Sequence, residues 1–101
     1  MIQTKQELIE AIRLNEEKIF SFGVKRLGLF GSFVRNEQDA ASDVDFLVEF
    51  KPKKEKLGNL VQLGYFMQDL LGRKVEVVTK NSLSKYFSHQ ILHETEYVLL
   101  A

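Results

Sequence analysis

No cysteine occurs in this sequence, so disulfide frameworks, thiolate nucleophiles and cysteine-ligated zinc or iron–sulfur centres are excluded. Proline occurs once, at Pro52, and the composition is not that of a disordered or collagenous chain. No run approaches the roughly eighteen apolar residues that a membrane-spanning helix needs, and Met1 to Glu10 is polar and mixed in charge. The expectation is a soluble, cytoplasmic protein without membrane contact. An excess of either charge is also missing. Fourteen Lys plus Arg balance fourteen Asp plus Glu, which removes any general attraction for nucleic acid or anionic lipid, and no direct nucleic-acid binding is expected. Neither G-x-x-x-x-G-K-[ST] nor G-x-S-x-G is present, so a P-loop ATPase or a nucleophile-elbow hydrolase lacks its parts. What is present is 101 residues, 45% apolar and 28% charged, enough for one domain over residues 1–101 around one core.

Thr4 and Glu7 have the spacing of a capping box, and Leu8, Ile12 and Ile19 recur at helical intervals, predicting a helix over about 5–21. Gly23 suits a left-handed cap, and Val24 to Phe30 reads as a strand. Ser32 is a good N-cap for a helix of one or two turns, after which Asp39 to Ser42 reads as a loop. From Asp43 to Phe50 the alternation is strict, with Val44, Phe46, Val48 and Phe50 on one face and Asp43, Asp45, Leu47 and Glu49 on the other. Lys51 to Lys56 is an exposed connection. Leu57 to Leu71 suits a helix closed by Gly72, Lys74 to Thr79 a third strand, and residues 82–97 a last helix capped by Asn81 or Ser82. The expected fold class is therefore α/β. It has a small mixed three-stranded sheet in the order α-β-α-β-α-β-α, the first two strands antiparallel and the next two joined by a parallel crossover.

Asp43 and Asp45 lie two apart on a strand, so both carboxylates leave one face with Cα atoms roughly 6.5 Å apart. Such a pair suits a hard cation, since magnesium takes one or two carboxylates plus substrate phosphates. Gly31-Ser32 falls where the first strand turns into the expected short helix, whose N-terminus presents backbone N–H groups and a partial positive charge to phosphate oxygens, and glycine permits close approach. Antiparallel pairing brings that turn beside the aspartates. Glu76 alternates away from Val75 and Val77 on the neighbouring strand and is the candidate base or third ligand. Arg35, close behind Ser32, suits either the triphosphate or a nearby carboxylate.

Gly31-Ser32, ten residues, Asp43-Val44-Asp45, then Glu76, together with Phe30, Arg35 and Ser42, resembles the nucleotidyltransferase superfamily that includes DNA polymerase β, and within it the minimal nucleotidyltransferases. The resemblance runs nearly the full length of the chain. It implies magnesium-dependent transfer of a nucleotide, usually from ATP, to a hydroxyl. By that implication Gly31, Ser32, Arg35 and Ser42 line the nucleotide site, and Asp43, Asp45 and Glu76 hold two magnesium ions and carry the catalysis. Family members often have aspartate where Glu76 stands, and glycine where Asn36 stands. The longer stem of glutamate still reaches, and asparagine tolerates the left-handed backbone. Larger members add a helical domain to bind the acceptor, and nothing in 101 residues serves as one. The resemblance thus implies a partner, commonly a helical HEPN-type toxin that the minimal enzyme blocks by adding AMP to a tyrosine hydroxyl, in a homo- or hetero-oligomer. The alternative is an antitoxin that binds nucleotide but neutralises its partner by contact alone.

His89 and His93 stand four apart, yet Gln90 replaces the glutamate of H-E-x-x-H, so the pair reads as a polar stripe. Lys51, Lys53, Lys54 and Lys56 read as a solvated loop.

Overall fold

The computed structural model describes residues 2–82 and 88–100. Two helices, α1 (Lys5–Leu14) and α2 (Glu16–Ser21), precede strand β1 (Val24–Phe30). Strand β2 (Val44–Phe50), helix α3 (Leu57–Leu71), strand β3 (Val75–Thr79), a 3₁₀ turn (Lys80–Ser82), helix α4 (Ser88–Glu94) and strand β4 (Glu96–Leu100) follow.

The Thr4 hydroxyl accepts the Glu7 N–H at 3.1 Å and donates to the Glu7 carboxylate at the same distance, so the predicted cap forms. The helix expected to run unbroken to residue 21 divides at Asn15. Its side-chain amide donates to the Ala11 carbonyl at 2.8 Å, a local bond of the kind by which asparagine competes with helix propagation. Leu8, Ile12 and Ile19 still reach the same core. The last turn of α3 closes on Gly72 in the left-handed conformation, φ 67°, as expected.

The sheet order is β3-β2-β1-β4. β1 pairs antiparallel with β2, and β2 parallel with β3 across the α3 crossover, matching the expected pairings. One face of β2, with Val44, Phe46 and Val48, is wholly buried against Leu8 and Ile12 of α1 and Leu63, Met67 and Leu71 of α3. Each such side chain removed from water contributes about 1.5–3 kcal/mol, so this layer sets the register of β2. A one-residue slip would bury Asp45 in it.

The mixed α/β class stands, while the strand count changes from three to four. The last helix ends at Glu94, and residues 96–100 form β4, antiparallel to β1 on the edge opposite β2. Pairing along that edge, with Val98 and Leu99 buried, outweighs a helical reading of the same apolar residues. Gly28 admits the new strand, because a Cβ there would lie 2.4 Å from the Thr95 methyl. Ser82 ends the 3₁₀ turn of Lys80–Ser82. It exchanges hydrogen bonds with Thr79 and closes the end of β3, while residues 83–87 of the predicted helix lie outside the described residues.

Candidate active site

The face of β2 opposite Val44, Phe46 and Val48 carries the half-buried Asp45 and Glu49 on either side of the buried Leu47, with Asp45 at the end nearest Gly31. Register places Phe30, the last residue of β1, opposite Asp45, and Glu76 of β3 opposite Asp45 on the other side. Asp45 therefore sits between a turn and an acid. Asp43 stands just before β2, whose first N–H, on Val44, donates to the Lys74 carbonyl at 3.0 Å.

Asp45 is partly buried, and its carboxyl is pushed up from an ordinary 3.8 to about 6. Loss of solvation is the main cause, the negative charges of Glu76 and Asp43 add to it, and Arg35 opposes it. Asp45 is also within hydrogen-bonding reach of Glu76. No three His, Cys, Asp or Glu side chains among the described residues converge as a ready cation cage. The donor set nonetheless fits magnesium, which needs only one or two carboxylates and completes its shell with water and phosphate oxygens. Crowded like charge on Asp45 is what a divalent cation relieves.

Gly31 follows β1 with φ 80°, a left-handed backbone, and a Cβ there would lie 2.2 Å from Asp45 Oδ2. The glycine that sequence reasoning assigned to phosphate approach is thus also required by the aspartate behind it. Beyond it, the short helix expected after Ser32 is a run of turns. Val34 and Arg35 N–H donate to the Gly31 carbonyl at 3.2 and 3.3 Å and Glu37 N–H to Ser32 at 2.9 Å, and Asn36, left-handed at φ 57°, stops the coil. Asparagine does take the conformation that glycine would supply. Phe33, fully buried, anchors the turn to the core.

Of the two partners open to Arg35, the structure shows carboxylates. Its Nε donates to Glu37 at 2.6 Å and its Nη1 to Glu94 Oε2 at 2.8 Å. The Ser42 hydroxyl is engaged within its own loop, accepting the Asp39 N–H at 2.9 Å and donating to the Asp39 carboxylate at 3.3 Å. Gly31, Asp45 and Glu76 come together, whereas Ser42 braces the entry to β2.

Two residues that sequence reasoning missed hold this arrangement. Arg73, 8% exposed, donates to the carbonyls of Asp39 and Ser42, both at 2.9 Å, and of Ile2, with its guanidinium 4.9 Å from the Phe33 ring centroid. It ties the loop leading to Asp43 to the turn after Gly31. Nothing in its local pattern marks an arginine after a helix-ending glycine as buried. Glu94, at the end of α4, accepts the Gly31 N–H at 2.9 Å as well as Arg35. Misreading residues 94–97 as continuous helix concealed it. His89 and His93 are exposed, as are all the lysines of the 51–56 connection.

The sequence pattern of the nucleotidyltransferase domain matches residues 8–98. The chain is 40% identical over 77 residues to a protein adenylyltransferase, MntA, of Thermococcus cleftensis, covering 76% of this chain and 77% of that one. It superposes on a solved structure provisionally named a minimal nucleotidyltransferase with a TM-score of 0.71 and 30% identity, covering 87% of this chain and 93% of that one. It also superposes, at a TM-score of 0.60 and 20% identity, on a chain from the complex of the tri-AMPylated HEPN toxin of Shewanella oneidensis with an MNT antitoxin, covering 88% of this chain and 72% of that one. No helix among the described residues is long and apolar enough to cross a membrane.

Proposed function

This chain belongs to the nucleotidyltransferase domain family, and on that premise we propose that it transfers AMP from ATP to a tyrosine hydroxyl of a helical HEPN-type toxin, as the antitoxin of that pair. One observation carries the reading. Asp45, flanked by Glu76 and by the Gly31 turn, has its charge opposed by neighbouring acids. A carboxylate so placed on a surface has no evident structural use, and it is matched by a cation and its phosphates.

Asp43 and Asp45, with Glu76 beside them, are the residues that would hold magnesium. The chemistry magnesium supplies when bound is neutralisation of triphosphate charge and acidification of a coordinated hydroxyl. The protein's own part is orientation. The Gly31-Ser32 turn presents backbone close to Asp45, where a triphosphate would lie along it. The incoming tyrosine oxygen forms a bond to the α-phosphorus, the bond from that phosphorus to the bridging oxygen breaks, and pyrophosphate departs with the electron pair. Glu76, exposed at the edge of the sheet, takes the tyrosine proton. The 1–101 chain is read as one catalytic domain that receives its acceptor from the partner.

The test is Glu76→Gln, assayed with purified toxin and ATP by intact-protein mass spectrometry. Transfer is expected to fall by about two to four orders of magnitude, the usual worth of a positioned base, while toxin binding stays close to wild type. A wild-type protein that neutralises the toxin without ATP and leaves no AMP on it would establish the contact-only reading instead.

A further inference from the structure

The Glu94 carboxylate is bonded to the turn that the proposed function assigns to phosphate. Its Oε1 accepts the Gly31 N–H at 2.9 Å and its Oε2 accepts Arg35 Nη1 at 2.8 Å, with the side chain 19% exposed. One carboxylate thus satisfies a backbone donor and a cation of the same turn, 63 and 59 residues away in sequence.

Glu94 is itself held from behind. The next residue, Thr95, donates its hydroxyl to the Ile91 carbonyl and rests its methyl over Gly28 of β1. Glu96 pairs with Lys5 of α1 at 2.6 Å, and β4 is laddered onto β1 from Glu96 onward. The carboxylate is therefore mounted on the sheet, whereas the turn it grips is held by Phe33 in the core and otherwise by single backbone hydrogen bonds. Charge-assisted bonds to a fixed partner restrict such a turn more than neutral ones do.

The position of Arg35 gives the grip a chemical purpose. Its guanidinium acts on the Asp45 carboxylate through space. Its Nε is held by Glu37 at 2.6 Å, so Glu94 is the second of two carboxylates that keep the guanidinium from turning toward Asp45. A guanidinium paired with Asp45 would take up the charge that the cation requires and swing the turn with it.

We propose that Glu94 is a positioning residue of the nucleotide site: it fixes Gly31 and holds Arg35 off Asp45, so that turn and carboxylates stay open for the magnesium–triphosphate. This rests on the reading of that site as nucleotide-binding. The role is one of pre-organisation, which shows as affinity.

The experiment measures MgATP binding by calorimetry on the full chain, for wild type, Glu94→Gln, Glu94→Asp, Arg35→Gln and the Arg35→Gln/Glu94→Gln double variant, with thermal melting alongside. Glu94→Gln is expected to weaken MgATP by about tenfold, the worth of one charge-assisted contact, and Glu94→Asp to recover part of it. The double variant should bind more weakly than Arg35→Gln alone, but by less than the loss Glu94→Gln causes in wild type, because the bond to Gly31 is still lost while no guanidinium remains to turn toward Asp45. A lowered melting temperature with unchanged affinity would make Glu94 structural only and overturn the proposal. Tighter MgATP binding in Glu94→Gln would make the carboxylate a competitor for the phosphate and also overturn it. If wild type binds no MgATP, the nucleotide-site reading falls and this inference with it; equal binding in wild type and Glu94→Gln removes the positioning role alone.

Discussion

Asp45 and Glu49 lie on the same strand and the same face, four residues apart, and the protein treats them in opposite ways. Glu49 has Arg26 at 2.8 Å and Lys25 at 3.9 Å, and these cations hold its carboxyl below the ordinary range. Asp45 has acids for neighbours, and burial and their charge push its carboxyl up to about 6. The pleat makes the two positions equivalent; register makes them different. β1 sets Arg26 across from Glu49 and Phe30 across from Asp45. A carboxylate whose charge the protein itself neutralises belongs to the scaffold, and one left among like charges points to something brought from outside.

The strongest way to break this contrast is Asp45→Asn. Nucleotide transfer should fall by at least about a thousandfold, corresponding to the several kcal/mol that a bound metal contributes to the transition state, with circular dichroism unchanged. Labelled AMP incorporation at wild-type rate would end the assignment of Asp45 as a ligand.

Gly31→Val should come next. Its branched side chain would strike the Asp45 carboxylate and oppose a backbone φ of 80°, with a predicted loss of about 1–3 kcal/mol in urea unfolding and no measurable ATP binding. Wild-type ATP affinity in this variant would remove the turn from the site.

The pH dependence of stability should separate the two carboxylates in metal-free buffer. Because the folded-state value of Asp45 is raised, the folded protein binds the extra proton between pH 3.8 and about 6, so stability is lost as pH rises through that window. Asp45→Asn should therefore melt higher than wild type above pH 6 and match it below pH 4. For Glu49, whose value is lowered, stability is present above its ordinary 4.5 and lost as pH falls below it. Parallel melting curves for wild type and Asp45→Asn across this range would contradict the description of Asp45.

The smallest effect belongs to Glu49→Gln. Its partly exposed pair with Arg26 is screened by water, so the melting temperature should barely move at neutral pH and nucleotide transfer should be unaffected. A large loss of transfer would show that the two ends of β2 act together.

The alternation of residues 43–50 and the glycine-serine turn were legible because both are local. A strand two residues per period and a left-handed glycine need no distant partner to be recognised. Alternation put Glu76 on the face of the aspartates, and the register of the parallel pair then sets it opposite Asp45. The end of the chain was not legible in this way. Ile91, Val98 and Leu99 suit a helix or a strand by spacing, and only the free edge of β1 decides between them.

What the sequence determined by itself is the set of groups: which strand buries its odd or even residues, where glycine must turn, and which acids share a face. Tertiary structure alone decided their partners. Arg26 meets Glu49, Arg73 gathers three carbonyls beneath the loop before Asp43, and Glu94 returns across the sheet to grip Gly31 and Arg35. The physical reason is range. Periodicity and turn preference act over a few residues, whereas the charge state of a carboxylate depends on what the folded chain sets within a few ångströms of it.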